Sequence, residues 1–279
     1  MARPTSAAGL LALACTSGCG FSSLTYLTSG ADEADASLDA SNPQDDAVGF
    51  DSGPDATTSS TWCLQRSPVP FFCADFDEGD LTFAYQRGHG VTVPAPLVES
   101  LGRARLVGEA RSAPGAFSAA APEVLAGGAE VHVRFDSPVT SSSTTGASLR
   151  FDVRLPTYVA SENAALARVV LALPDGSRAR AYYSLAPSGK AVLLLQLATE
   201  TSVGIPLPAV NQWATLQMEL TLAATVTVRL LMDGQLLATL SEPSSSATAM
   251  SASFSLGLGA VAPSAPVEAV YDNVVFSPQ

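Results

Sequence analysis

Lysine is almost absent from this chain: Lys190 is its single example in 279 residues. With arginine the basic residues total 14 against 26 acids, a net charge of −12. So acidic a chain is a poor partner for nucleic acid, because phosphate binding needs a basic surface. Long apolar runs are missing too. Hydrophobic residues make up 47% of the chain, yet no window reaches the roughly 18 consecutive apolar residues of a membrane-spanning helix. Histidine is limited to His89 and His132. There is no Gly-x-Ser-x-Gly to go with either, so a serine triad of the hydrolase type has no footing. Ser188-Gly189-Lys190-Ala191 lacks the rest of a phosphate-binding loop. Cysteine occurs four times, at 15, 19, 63 and 73.

What is present falls into three parts. Residues 1–19 have the order of an export signal. Arg3 supplies positive charge, Ala7–Ala14 a short apolar core, and Thr16-Ser17-Gly18 small residues before Cys19. Small residues directly before a cysteine resemble the bacterial lipobox, which implies that Cys19 is lipidated and becomes the mature amino terminus. Ala12-Leu13-Ala14-Cys15 is a second candidate of the same kind, and a plain cleaved signal is the alternative. Residues 20–61 form an acidic linker. Between Ala31 and Thr61 lie Asp32, Glu33, Asp35, Asp39, Asp45, Asp46, Asp51 and Asp55, with no Lys or Arg. Such a stretch cannot bury enough apolar surface to offset its ordering entropy and is expected to be a disordered spacer. Residues 62–279 carry the apolar patterning of a folded domain. At its opening Cys63 and Cys73 stand ten apart, which in an exported protein reads as a disulfide. Zinc is the alternative, and no nearby His or Cys pair completes four ligands.

The domain has period two. Leu149, Phe151, Val153 and Leu155 alternate with polar neighbours, as do Leu216, Met218, Leu220 and Leu222, and Val226, Val228 and Leu230. Strands with one wet face belong to antiparallel sheets. Asp233-Gly234, Asp175-Gly176 and Ser188-Gly189 mark hairpins. Only Ser161–Arg168 looks helical. The expectation is an all-β, two-sheet antiparallel sandwich behind the acidic linker.

Four segments in order then carry a resemblance: Phe72-Cys73-Ala74-Asp75-Phe76-Asp77-Glu78-Gly79, Asn211-Gln212-Trp213-Ala214-Thr215-Leu216-Gln217-Met218, Val228-Arg229-Leu230-Leu231-Met232-Asp233-Gly234, and Val270-Tyr271-Asp272-Asn273-Val274-Val275-Phe276. Together they resemble the concanavalin A-like lectin/glucanase superfamily, including laminin G-like members, across residues 70–279. The resemblance implies a jelly roll whose first and last strands are neighbours. It also implies one structural Ca²⁺ where those strands meet, with Asp77 (or Asp75) and Asp272 at the matching ends. It implies that Trp213 begins a strand and packs in the core.

Enzymatic members of that superfamily carry signatures that depart from this chain. No Glu-x-Asp-x-x-Glu supplies the two close carboxylates that a retaining glucanase requires. Glu130-Val131-His132 has Glu where superfamily lyases have Gln. The expected function is therefore recognition of a polysaccharide or cell-surface glycan without catalysis, by a lipoprotein held to the cell envelope, at the outer membrane, through its lipid alone. A divergent glycoside hydrolase or lyase, or a structural envelope protein, stands as the alternative. Alternation places Arg150, Asp152 and Arg154 on one sheet face and Arg178, Arg180 and Tyr182 on another. If the two faces coincide, guanidinium groups and a ring line one groove suited to an anionic polysaccharide. Otherwise these arginines only keep exposed sheet faces wet. Tyr182 and Tyr183 point to opposite faces, so only one of them belongs to the core.

Overall fold

Alternating apolar residues build two sheets, each with one dry face. The computed structural model describes residues 62–67, 70–77, 97–100, 102–122, 128–136, 144–157, 164–186, 189–261 and 266–279, without the side chains of 64, 97–100, 128–136, 157 and 260–261. The signal-like segment with Cys15 and Cys19, the acidic linker and His89 lie outside the described residues. The strands are β1 (Phe72–Ala74), β2 (Leu97–Ser100), β3 (Arg103–Val107), β4 (Ala116–Ala121), β5 (Gly128–Asp136), β6 (Gly146–Thr157), β7 (Ala164–Ala172), β8 (Arg178–Ala186), β9 (Lys190–Gln196), β10 (Glu200–Ile205), β11 (Ala214–Leu222), β12 (Thr225–Met232), β13 (Gln235–Pro243), β14 (Ser251–Val261) and β15 (Val267–Pro278). One sheet, here sheet A, runs β13-β12-β11-β6-β15-β4-β3, with β1 also on β15; sheet B runs β10-β9-β8-β7-β14-β5-β2. Every pairing between these strands is antiparallel. The result is the expected jelly-roll sandwich.

The hairpins fall where the turn residues require. Asp233 and Gly234 have φ of 51° and 80°, the left-handed pair of a tight two-residue turn, and join β12 to β13. Asp175-Gly176 turns β7 into β8, with Asp175 Oδ1 accepting Ser177 N at 2.9 Å. The one helical expectation fails. Of Ser161–Arg168, the described part from Ala164 is strand, paired with both β8 and β14. Its alanines favour a helix locally, but the segment has a strand to pair with on either side, and Leu166, Val169 and Leu171 bury in the core between the sheets.

Both dry faces meet in one core. Leu149, Phe151 and Val153 of sheet A and Ala181, Tyr183 and Leu193 of sheet B are all fully buried in it. Aromatic rings tie the sheets. Phe254 of β14 lies with its centroid 4.9 Å from Phe276 of β15 and 5.1 Å from Phe72 of β1. Each such ring contributes roughly 1.5–3 kcal/mol by leaving water. First and last strands do pair: Phe72 is in register with Phe276 and Ala74 with Val274. Cys63 and Cys73 are bonded, with Cα atoms 5.7 Å apart. That bond pins the Trp62–Gln65 turn beside β1, where Cys63 N donates to the buried Asp75 Oδ2 at 2.9 Å.

Candidate functional site

The alternation was read correctly, but the two arginine groups lie on opposite outer faces of the sandwich. Leu149, Phe151 and Val153 point into the core, so Arg150 and Arg154 face outward from sheet A. Ala179, Ala181 and Tyr183 point into the core, so Arg178, Arg180 and Tyr182 face outward from sheet B. The single groove that would combine them does not form. Period two fixes a strand's faces but carries no information about which sheet the strand joins.

On sheet A three arginines meet acids, whereas Arg103 and Arg150 have no ion pair among the described residues. Arg154 Nη2 meets Glu109 Oε2 at 2.6 Å, Arg105 meets Glu268 at 2.8 Å, and Arg229 meets Glu219 at 2.8 Å. Arg154 also lies 5.5 Å from the Trp213 ring centroid. Trp213 is half-buried and outside the core, contrary to expectation. It precedes β11, whose first inward residue is Ala214, so the indole covers the outer face. Arg150 is close enough to Arg66 to help lower that guanidinium's pKa, after burial, and Arg66 in turn sits 3.4 Å over the Trp62 ring.

Asp272 is fully buried and built into a polar network. Its Oδ2 accepts Arg111 N at 2.8 Å, Ser112 N at 2.7 Å and Ser112 Oγ at 3.2 Å; its Oδ1 accepts Asn273 N at 2.7 Å. Asn273 Nδ2 donates to Asp152 Oδ2 at 2.8 Å. Burial pushes the Asp272 carboxyl up to about 7 even against these donors. Asp77 is held separately, its Oδ1 accepting Gly115 N at 3.2 Å. Both expected ligands therefore reach the 111–115 segment, but Asp272 meets it through N–H and O–H donors. A cation needs oxygen lone pairs at those positions. No group of three or more His, Cys, Asp or Glu gathers among the described residues. The donor set of Asp272 does not fit Ca²⁺.

Sheet B presents a different outer face. Cross-strand register aligns Ser255 of β14, Arg168 of β7, Tyr182 of β8, Leu194 of β9 and Ser202 of β10 in one row. The next row is Gly259, Ala165, Ser184, Val192 and Gly204. The second row, of small residues only, is thus a low strip across five strands, a trough about 19 Å long at the ordinary interstrand spacing, flanked by the larger Arg168, Tyr182 and Leu194 of the first row. At its end, a Cβ added to Gly204 would meet only Lys190 Cδ, at 3.9 Å. Arg168 Nε and Nη2 donate to Ser255 Oγ at 3.1 and 2.8 Å. Arg180 donates to Gln196 Oε1 at 3.1 Å, and Arg178 is exposed. Among the described residues, neither Arg178 nor Arg180 has an acidic partner. The described side chains of this face include Arg168, Arg178, Arg180 and Lys190 against the single acid Glu200. Tyr182 and Leu194 are buried here, on the face away from the core. Sequence reasoning missed Arg168, Ser184, Ser255 and Lys190. Arg168 was legible by alternation once Ala164–Ala172 is taken as a strand.

Nothing in the protein-family models or among curated sequences matches this chain. Among solved structures it is similar to the cellulose-induced protein Cip1, with 12% identity over 74% of this chain and 97% of that one, at a TM-score of 0.50. It is similar to the serotype C1 botulinum neurotoxin binding domain at 12% identity and a TM-score of 0.50. That match covers 75% of this chain and 49% of the neurotoxin domain, so the chain spans about half of it. An endo-β-1,4-glucuronan lyase from the fungus Trichoderma reesei matches at 15% identity over 75% and 96%, with a TM-score of 0.49. At these identities the likeness is one of fold.

Proposed function

We propose that this chain recognises an anionic polysaccharide across the outer face of sheet B. The observation that carries the reading is an asymmetry of charge. In a chain of net charge −12, the described side chains of one sheet face are predominantly basic, and Arg178 and Arg180 there have no acidic partner among the described residues, while Arg105, Arg154 and Arg229 of the other face are paired. Guanidinium groups bind carboxylate and sulfate through paired hydrogen bonds. Uronate or sulfated sugars, lying across the strands in the trough, are the ligands this face suits. The fold likeness to Cip1 is compatible with a glycan ligand. The signal-like segment and acidic spacer support export, lipidation at Cys19 and attachment to the bacterial outer membrane by lipid alone.

A divergent polysaccharide-cleaving enzyme is the second reading. It is favoured by β5, whose His132 is in register with Gly257 and which lies two strands from Arg168 in the same sheet. An array of neutral, uronate and sulfated polysaccharides tests recognition. Retention on the acidic polymers alone, with no change in their chain length, supports binding without cleavage. Retention on neutral polymers alone, or none at all, overturns the proposal.

A further inference from the structure

Two hydroxyls beside the trough have no hydrogen-bond partner among the described residues. Tyr182 is 1% exposed, yet among the described residues its Oη has no hydrogen-bond partner; nor has the buried Oγ atom of the half-buried Ser184. They are two apart on β8 and share the outer face. A buried hydroxyl without a partner costs the full penalty of leaving water, and folded proteins seldom retain one. Here two occur together. The surroundings of Ser184 are small and partly open, whereas Tyr182 lies between Arg168 and the buried Leu194. Ser184 is flanked in register by Ala165 and Val192, both half-exposed, and Gly259 follows beyond Ala165. Tyr182 is flanked by Arg168, whose guanidinium already holds Ser255. A Tyr and a Ser hydroxyl can each donate and accept, which matches a sugar hydroxyl and gives no preference for charge.

We infer that Tyr182 Oη and Ser184 Oγ are the specificity contacts of the trough, taking up the uncharged ring hydroxyls of the bound glycan while the arginines take its acidic groups. This rests on the binding proposed for sheet B and divides that binding into two physically different parts. The charged part weakens as salt screens it. The hydroxyl part involves no net charge and keeps its size in salt.

The experiment uses the whole chain and polygalacturonate as probe, with Tyr182→Phe, Ser184→Ala and Arg178→Ala/Arg180→Ala variants, each titrated at low and high salt and each melted without ligand. Tyr182→Phe and Ser184→Ala should each bind on the order of fivefold to tenfold more weakly, the loss of one hydrogen bond. That factor should be the same at both salt concentrations. Both variants should melt no lower than the parent, since each removes a group that no described residue satisfies. The arginine variant should lose affinity mainly at low salt. If the parent and the arginine variant behave as proposed while Tyr182→Phe and Ser184→Ala bind like the parent, this inference is overturned and the sheet B reading stands. If the parent binds no polygalacturonate, both fall. A melting point for Tyr182→Phe several degrees below the parent would show that the hydroxyl already has a structural partner, and would overturn the inference without reference to ligand.

Discussion

Ser112 N donates to Asp272 Oδ2 at 2.7 Å across 160 residues of sequence, and so anchors the segment before β4 to the last strand. The contact lies where β15 changes partners. Val267–Tyr271 pair with β4, Val274–Phe276 pair with β1, and Asp272 and Asn273 fill the gap between them. The register with β6 is broken at the same place, and Asn273 has a φ of 53°.

Burial raises the Asp272 pKa to about 7, from an ordinary carboxylate value near 4. Between those two values the folded chain holds a proton there that the unfolded chain has released. Stability from this group is therefore present at low pH and falls as pH rises through that window. Urea midpoints measured at about pH 4.5 and about pH 7.5 should show a fall in the parent that Asp272→Asn reduces. Asp272→Ala, which leaves Arg111 N and Ser112 N without an acceptor, should cost about 2–3 kcal/mol at either pH. An Asp272→Asn variant with the same pH slope as the parent would contradict the burial argument.

Gly115 sits where β4 approaches the end of β1. A Cβ placed there would come 2.4 Å from Phe76 O, a backbone atom that cannot move aside cheaply. Gly115→Ala should cost roughly 1–3 kcal/mol in thermal or urea unfolding, the range for overpacking. Gly108 has nothing within 4 Å of the same added atom. Gly108→Ala is the control and should change stability by less than about 0.5 kcal/mol.

The Cys63–Cys73 bond closes a short loop at the start of the domain. Replacing both with serine should destabilise the fold by about 3 kcal/mol on the loop-entropy model. The change should release the Trp62–Gln65 turn first, because Cys63 N is the group that Asp75 Oδ2 holds. Near-ultraviolet circular dichroism from Trp62 and the unfolding midpoint should fall together. Free thiols found in the purified, unreduced protein would contradict the pairing.

Much of the fold was legible because alternation and turn chemistry are local. Leu149–Leu155, Leu216–Leu222 and the Asp233-Gly234 turn needed no tertiary information, and the Cys pair followed from count and spacing. The site was less legible because it depends on sheet membership. Nothing in the residues of β6 and β8 states that one joins sheet A and the other sheet B; that follows from pairing partners, about 60 to 130 residues away for β6 and within about 20 for β8. Arg168 was hidden by the alanines around it, which read locally as helix. Tyr182 was assigned its face correctly, but its burial on that face arises from packing that alternation does not report. Asp272 looked like a strand acid near a cation, and its N–H donors come from a loop 160 residues away.

The central claim is that Arg178 and Arg180 of sheet B, which have no acidic partner among the described residues, bind an acidic glycan. The most direct measurement is the dissociation constant of the whole chain for polygalacturonate at about 50 mM and about 500 mM salt, for the parent and for Arg178→Ala/Arg180→Ala. The account predicts that the parent binds at low salt, weakens severalfold or more at high salt, and loses most of that salt dependence in the double variant. Binding that the double variant retains in full, with the same response to salt, would contradict it.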